Sequence, residues 1–276
     1  MDQKSCLKIG AVSYLNTKPL IYPLLNGQLL TQEISLSVKV PSRLATQLNN
    51  GELDIGLIPI IEYFRANAKG VGYRTLPNIA IGSRGSVLSI QLFSHVPIQD
   101  IQQIALDTSS RSSVALLKIL LAEKYHLNPK FIPCEPSIDP ASSETDAVLL
   151  IGDAALKNLG TTKYCTDLGT EWHELTGLPF VYACWVARSD VQLGNVQKLL
   201  LDAKTLGIEQ IPEIARIEAP KLGFTEDLCK RYLQHHIHYD LDESSIEGLK
   251  YFYKLAVKNG LVESGQNLVF ADTELT

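Results

Sequence analysis

The chain has 276 residues, 45% of them hydrophobic and 20% charged, and a net charge of −5. That length buries a large core in one or two domains, and that composition excludes wholesale disorder. With no long block of Lys or Arg and no run of 18 apolar residues, the chain is not expected to bind nucleic acid or a membrane; an anionic small molecule stays compatible, because a few local donors outweigh a modest global charge.

The N-terminal stretch MDQKSCLKIGAVSYLN has no apolar segment long enough for a signal peptide, so a cytoplasmic location is expected. Cys6, Cys134, Cys165, Cys184 and Cys229 are scattered, odd in number and without a C-x-x-C pair. They predict free thiols in a reducing compartment, and neither a disulfide framework nor a zinc site.

Leu7 to Val12 predicts a short buried strand. The turn SYLN follows, with a helix over about 17–25. Ile34, Leu36, Val38 and Val40 alternate with polar neighbours, the period of a half-buried strand. Pro41 and Ser42 open a helix with Ser42 as its expected N-cap, and Gly51 stops it. DIGLI, residues 54–58, predicts a strand ended by Pro59.

The theme recurs. SVLSIQLFS (86–94) and QIALD (103–107) predict strands, and SSRSSVALLKILLAEKYHL predicts a polar turn running into a helix. FIPC and AVLLIG are two further strands, with a short helix at 154–159 after the second. GLPFVYACWVAR (177–188) is a long apolar strand that returns the chain. The last ninety or so residues hold four amphipathic helices.

Two sets of alternating strands and helices predict parallel sheets in two lobes, with a ligand beyond the carboxyl ends of the strands. SYLN, DTSSRSS and IGDAAL all fall there and are expected to meet at one cleft. Each turn has two readings. Ser110, Arg111, Ser112 and Ser113 either cap a helix or bind a carboxylate or phosphate with the free N–H groups of its first turn. Asn16 either caps a helix or offers its amide to a substrate hydroxyl, beside Ser13, Tyr14 and Thr17. Ser83, Ser86 and Ser89 close a glycine-bearing turn or line a pocket. Gly152 permits close backbone approach, and Asp153 is expected to cap the following helix. His235 and His238 share a helix face, but no H-E-x-x-H pattern accompanies them, so a solvated helix end is expected and no metal.

Taken in order, VSYLNTKPLIYPL, PSRLATQLNNGELDIGLIPIIEY, IGSRGSVLSIQLFS, LDTSSRSSVALLKILL, VLLIGDAALK and DLGTEWHELTGLPFVYACW resemble the chorismate dehydratases of the futalosine route to menaquinone. The resemblance reaches about Leu261 and covers nearly the whole chain. It implies an α/β, two-lobed, periplasmic-binding-protein-like (type II) fold, with residues 1–90 and 185–276 in one lobe, 91–184 in the other, and crossings near Ser89 and Tyr182. It implies a cytoplasmic enzyme that converts dianionic chorismate to 3-enolpyruvylbenzoate and water, without metal or cofactor. Carried over by motif, Asn16 and Ser89 are catalytic, and Ser110, Arg111 and Ser112 hold a substrate carboxylate. Ser112 stands where the family usually has Thr, and Ser86 where Pro is common. Ser13, Tyr14, Ser86, Gly152 and Asp153 complete the expected binding set. None of these motifs carries a His or Lys placed as a general base, so the expected mechanism uses the substrate's own enolpyruvyl carboxylate to take the C3 proton. Two alternatives accompany this reading. One is the dihydroxynaphthoate synthase of the same route, which carries a catalytic His in a stretch like H-E-G-Q where this chain has Gly152 and Asp153. The other is a non-catalytic solute-binding protein.

Overall fold

The computed structural model describes residues 6–29, 33–107, 111–135, 137–265 and 268–271. Two five-stranded sheets organise it, and each orders its strands the same way. In the first, β1 (Leu7–Val12) lies between β2 (Ile34–Lys39) and β3 (Ile55–Pro59), both parallel to it. In the second, β6 (Gln103–Asp107) lies between β7 (Lys130–Cys134) and β8 (Ala147–Ile151), again in parallel.

The sheets are mixed, which corrects the expectation of all-parallel sheets. Each takes an antiparallel strand from chain that has just crossed between lobes. β5 (Ile90–Ser94) pairs antiparallel with β8 and with β9 (Tyr164–Asp167). β10 (Phe180–Ala187) pairs antiparallel with β3 and with β4 (Arg74–Ser83). The chain therefore leaves the first sheet after Ser83 and is back in it by Phe180. The division expected between 184 and 185 falls inside β10, whose pairing to the first sheet runs from Phe180 to Ala187.

β1 and β3 read as strands because the parallel arrangement buries both faces; all five residues of β3 are buried. α1 (Lys18–Leu25) follows a single 3₁₀ turn at Leu15–Thr17, with Pro19 buried in its first turn. α2 (Pro41–Asn49) has its N-cap two residues earlier than expected: Val40 is its N-cap, Pro41 is the first helical residue, and no side chain caps it, Ser42 included. α3 (Ile60–Ala68), β4, β9 and α6 (Leu168–Thr176) had no counterpart among the predicted elements. α4 (Ser112–Glu123) and α5 (Gly152–Lys157) start at the two polar turns of the second lobe.

The strand expected over 86–94 forms only from Ile90. Residues 84–89 are an irregular crossing in which Leu88 adopts φ 65°. The tail supplies α7 (Val196–Glu209), α8 (Ile211–Leu222), α9 (Glu226–Arg231), a π-helical turn at Tyr232–His236, and α10 (Glu243–Lys258). These pack onto the first lobe, and Leu249, Phe252 and Ala256 of α10 are buried, with Tyr253 half-buried beside them.

The lobes share one hydrophobic core. At its centre Trp172 of α6 meets Phe180 edge-on at 5.2 Å between ring centroids, and Phe180 meets Phe252 of α10 at 4.9 Å. Such pairs add about 0.5–1.5 kcal/mol beyond their burial, and this cluster ties the return crossing to the C-terminal helices. No helix among the described residues is long and apolar enough to cross a membrane.

Candidate functional site

The carboxyl ends of β1, β3 and β8, the two crossings and the start of α4 line a cleft that opens to solvent; the space within it that a water-sized molecule can reach is about 60 Å³. Its walls are mostly apolar, from Val12, Pro59, Ile81, Val87, Ile151 and Tyr182, and the polar side chains among its lining residues include Tyr14, Asn16, Ser89, Arg111, Ser112 and Ser113. Among the described residues that line it, Arg111 is the charged one; none is a carboxylate, a histidine or a lysine.

Asn16 sits in the 3₁₀ turn that carries the chain from β1 into α1, and its Oδ1 accepts from the Thr17 hydroxyl at 3.4 Å. Ser89 ends the outgoing crossing. Its N–H donates to the Val87 carbonyl (2.7 Å) and its carbonyl accepts from the Gly152 N–H (2.7 Å), so both main-chain groups are engaged and the side chain reaches the cleft wall. Among the described residues Tyr232 is the partner of that hydroxyl, donating to Ser89 Oγ at 2.7 Å.

Arg111 is aimed by an acid from the other lobe: its Nη1 bonds Glu62 Oε2 at 2.7 Å, and Glu62 Oε1 takes Arg65 at 2.8 Å. Arg111 is only partly exposed and keeps further guanidinium donors for the cleft. Ser112 is buried with its hydroxyl committed. Oγ donates to the Tyr182 carbonyl (2.9 Å) and accepts from the Ile61 N–H (3.4 Å). A hydroxyl has one proton, so what Ser112 offers an anion is its main-chain N–H in the first turn of α4. Of the two readings of this turn, capping by a serine does not occur: Arg111 occupies the N-cap position of α4 and no side chain makes a capping bond there. Ser110 lies outside the described residues.

Tyr14 and Gly152 face each other across the cleft. Gly152 has φ +59°, and a Cβ added there would meet Tyr14 ring atoms at 3.0 Å. Gly152→Ala is accordingly expected to lower the unfolding free energy by about 1–2 kcal/mol, read by chemical denaturation, because the left-handed backbone and the displaced ring both cost. An unchanged denaturation midpoint would show that the ring yields freely.

Three expected binding residues stand elsewhere. Ser13 is exposed and outside the cleft wall, and its N–H closes the end of the β1–β2 pair on the Lys39 carbonyl (3.1 Å). Ser86 is also exposed; its hydroxyl donates to Asp167 Oδ2 at 2.9 Å, so it closes the crossing turn. Asp153 does not cap α5, whose N-cap is Ile151. It reaches into the other lobe, where Oδ1 accepts the Leu15 N–H at 3.1 Å. Burial raises its pKa, opposed by that N–H and by Lys18. Lys18 itself pairs with Glu218 at 3.0 Å, and Arg84 with Asp242. His236 lies 3.1 Å from the Ser86 carbonyl and His238 3.5 Å from Asp242.

Asp167 is the organising residue that sequence reasoning missed. It caps α6 through the Gly169 and Thr170 N–H groups (2.9 and 3.0 Å). The same carboxylate takes the N–H groups of Val87 (3.1 Å) and Leu88 (2.7 Å) and the amide of Gln91 (2.8 Å). It thereby holds Leu88 in its left-handed conformation, one residue before Ser89. The aspartate starts the DLGTEW stretch just ahead of a helix, so an N-cap was legible; its second task, some 80 residues back along the chain, was not.

Residues 7–258 match a family model described as menaquinone biosynthesis. A chorismate dehydratase from Thermus thermophilus is 30% identical over 262 residues, which cover 88% of this chain and 93% of that protein. A solved protein from Archaeoglobus fulgidus superposes with a TM-score of 0.75 at 21% identity, over 95% of this chain and 100% of that one. The periplasmic aliphatic sulphonate binding protein of Escherichia coli superposes with a TM-score of 0.63 at 17% identity, over 98% and 95% of the two chains. That last likeness is one of fold.

Proposed function

From the premise that this chain belongs to the menaquinone-biosynthesis family, we propose that it is a carbon–oxygen lyase that dehydrates chorismate to 3-enolpyruvylbenzoate. The observation that carries the reading furthest is the composition of the cleft: one cation, a helix N-terminus, an amide and hydroxyls in apolar walls, with no proton acceptor of the carboxylate, histidine or lysine type among its described residues. Such a site binds and orients an anion and leaves the base to the substrate.

In this mechanism Arg111 and the main-chain N–H groups opening α4 hold one carboxylate of the dianion. The substrate's enolpyruvyl carboxylate takes the C3 proton. The C3–H electron pair enters the ring as the C4–O bond breaks, and the oxygen departs with its pair. The same proton completes a water molecule, and the ring becomes aromatic. Asn16 and Ser89 orient the 4-hydroxyl region and stabilise the charge that grows on the departing oxygen. The apolar walls exclude bulk water, which strengthens these bonds. The five cysteines are all free, in keeping with a cytoplasmic site of action.

The test is incubation of the purified protein with chorismate, followed by chromatography of the products. Catalytic appearance of an aromatic enolpyruvyl acid is expected. Tight binding of chorismate with no turnover would replace this reading with that of a binding protein.

A further inference from the structure

Tyr232 lies in the helical tail, 143 positions along the chain from Ser89. Its side chain is fully buried, and it opens the π-helical turn at 232–236, in which the Ile237 N–H bonds the Tyr232 carbonyl at 3.2 Å. A π turn is rare, and it occurs frequently at functional sites. Here the first side chain of the turn is a phenol whose hydroxyl donates to Ser89 Oγ at 2.7 Å. One buried hydroxyl thus touches one of the two side chains placed against the departing oxygen.

We infer that Tyr232 is a positioning residue that makes Ser89 a hydrogen-bond donor to the leaving group. The inference rests on the dehydratase reading. A serine hydroxyl has one proton and accepts as well as donates. With the phenol donating to Oγ, the serine's own proton is turned away from Tyr232, and Ser89, itself buried, lines the cleft. Burial raises the phenol's pKa, so it stays protonated and keeps donating across the neutral range. No proton leaves Tyr232 during the elimination; the phenol fixes which way the serine hydrogen points before the C4–O bond breaks. That is preorganisation, with the reorientation cost met on folding and not in the transition state.

The test is a double-mutant cycle on the full chain, comparing Y232F, S89A and the double variant with the parent. Y232F should lower kcat by about ten- to a hundredfold with KM within about threefold, and in the S89A background it should change kcat less than about twofold. Parental kcat in Y232F, or an equal loss in both backgrounds, overturns the inference, since a packing defect would add independently of Ser89. Site-specific 3-fluorotyrosine at position 232 retains the hydroxyl and should keep kcat within about threefold of the parent. Should Y232F not fold, site-specific 4-fluorophenylalanine at position 232, which keeps the bulk of the phenol and lacks its donor, should show the same loss of kcat, about ten- to a hundredfold, relative to 3-fluorotyrosine; equal kcat in the two overturns the inference. A parent that makes no aromatic product from chorismate overturns the dehydratase reading together with this inference, whereas an active parent with an unimpaired Y232F overturns the inference only.

Discussion

Alanine in place of Ser89 or Asn16 is expected to lower kcat for chorismate by about 10²–10³-fold, the usual loss on removing one donor from a developing oxyanion. KM should change far less, because the affinity of the dianion is assigned to Arg111 and the start of α4. Both variants should fold. Ser89 keeps its main-chain bonds to Val87 and Gly152 when the hydroxyl is removed, and Asn16 makes no helix-capping bond. Steady-state rates alongside thermal midpoints check this, and parental turnover in either variant would remove that residue from the mechanism. The S89A loss should include whatever Tyr232 contributes, since the phenol acts on the same oxygen.

A second large effect is expected at a residue that never touches the ligand. Asp167→Ala should cost about 3–4 kcal/mol of stability, near the upper range for single substitutions, and should lower kcat as well. The carboxylate takes the N–H groups of Val87, Leu88, Gly169 and Thr170, the Ser86 hydroxyl and the Gln91 amide. Removing it strands donors on two segments at once and frees Leu88 from φ 65°, a backbone state that costs a non-glycine residue about 1 kcal/mol or more. Asp167→Asn should recover little, because an amide nitrogen would be turned toward donors. Urea denaturation measures the stability, and hydrogen exchange at the amides of Val87, Leu88, Gly169 and Thr170 locates the loss. A parental midpoint with unchanged protection at those amides would refute it.

These predictions separate what was legible in the sequence from what was not. β1, β3, β6, β8 and the tail helices could be read because each buries side chains with a period internal to a short segment. SYLN and S-S-R-S-S stood out because polar residues crowd a corner where one cap would do. The cap of α2 was misplaced because Pro41, already fixed at a helical φ, takes the first helical position and leaves Ser42 inside the helix. The strand expected at 86–94 lost its first half because Asp167 competes for the main-chain donors of Val87 and Leu88 that a strand would have used. Ser86 and Asp153 take partners that no local pattern marks, the first Asp167 and the second the Leu15 N–H, and neither is among the described residues that line the cleft.

By itself the sequence determined the α/β class, most of the strands and helices, and the polar corners on which Asn16, Ser89 and Arg111 sit, because periodicity, turn chemistry and helix termini are local properties. Only the tertiary structure decided what those corners do. Ser89 meets Tyr232 across 143 positions, Leu15 meets Asp153 across 138, and Ser112 meets the Tyr182 carbonyl across 70. A hydroxyl or carboxylate carries no mark of the partner it will satisfy; that choice is made when two sheets and a helical tail bury it beside a particular donor, where leaving it unpaired would cost more than any local preference could return.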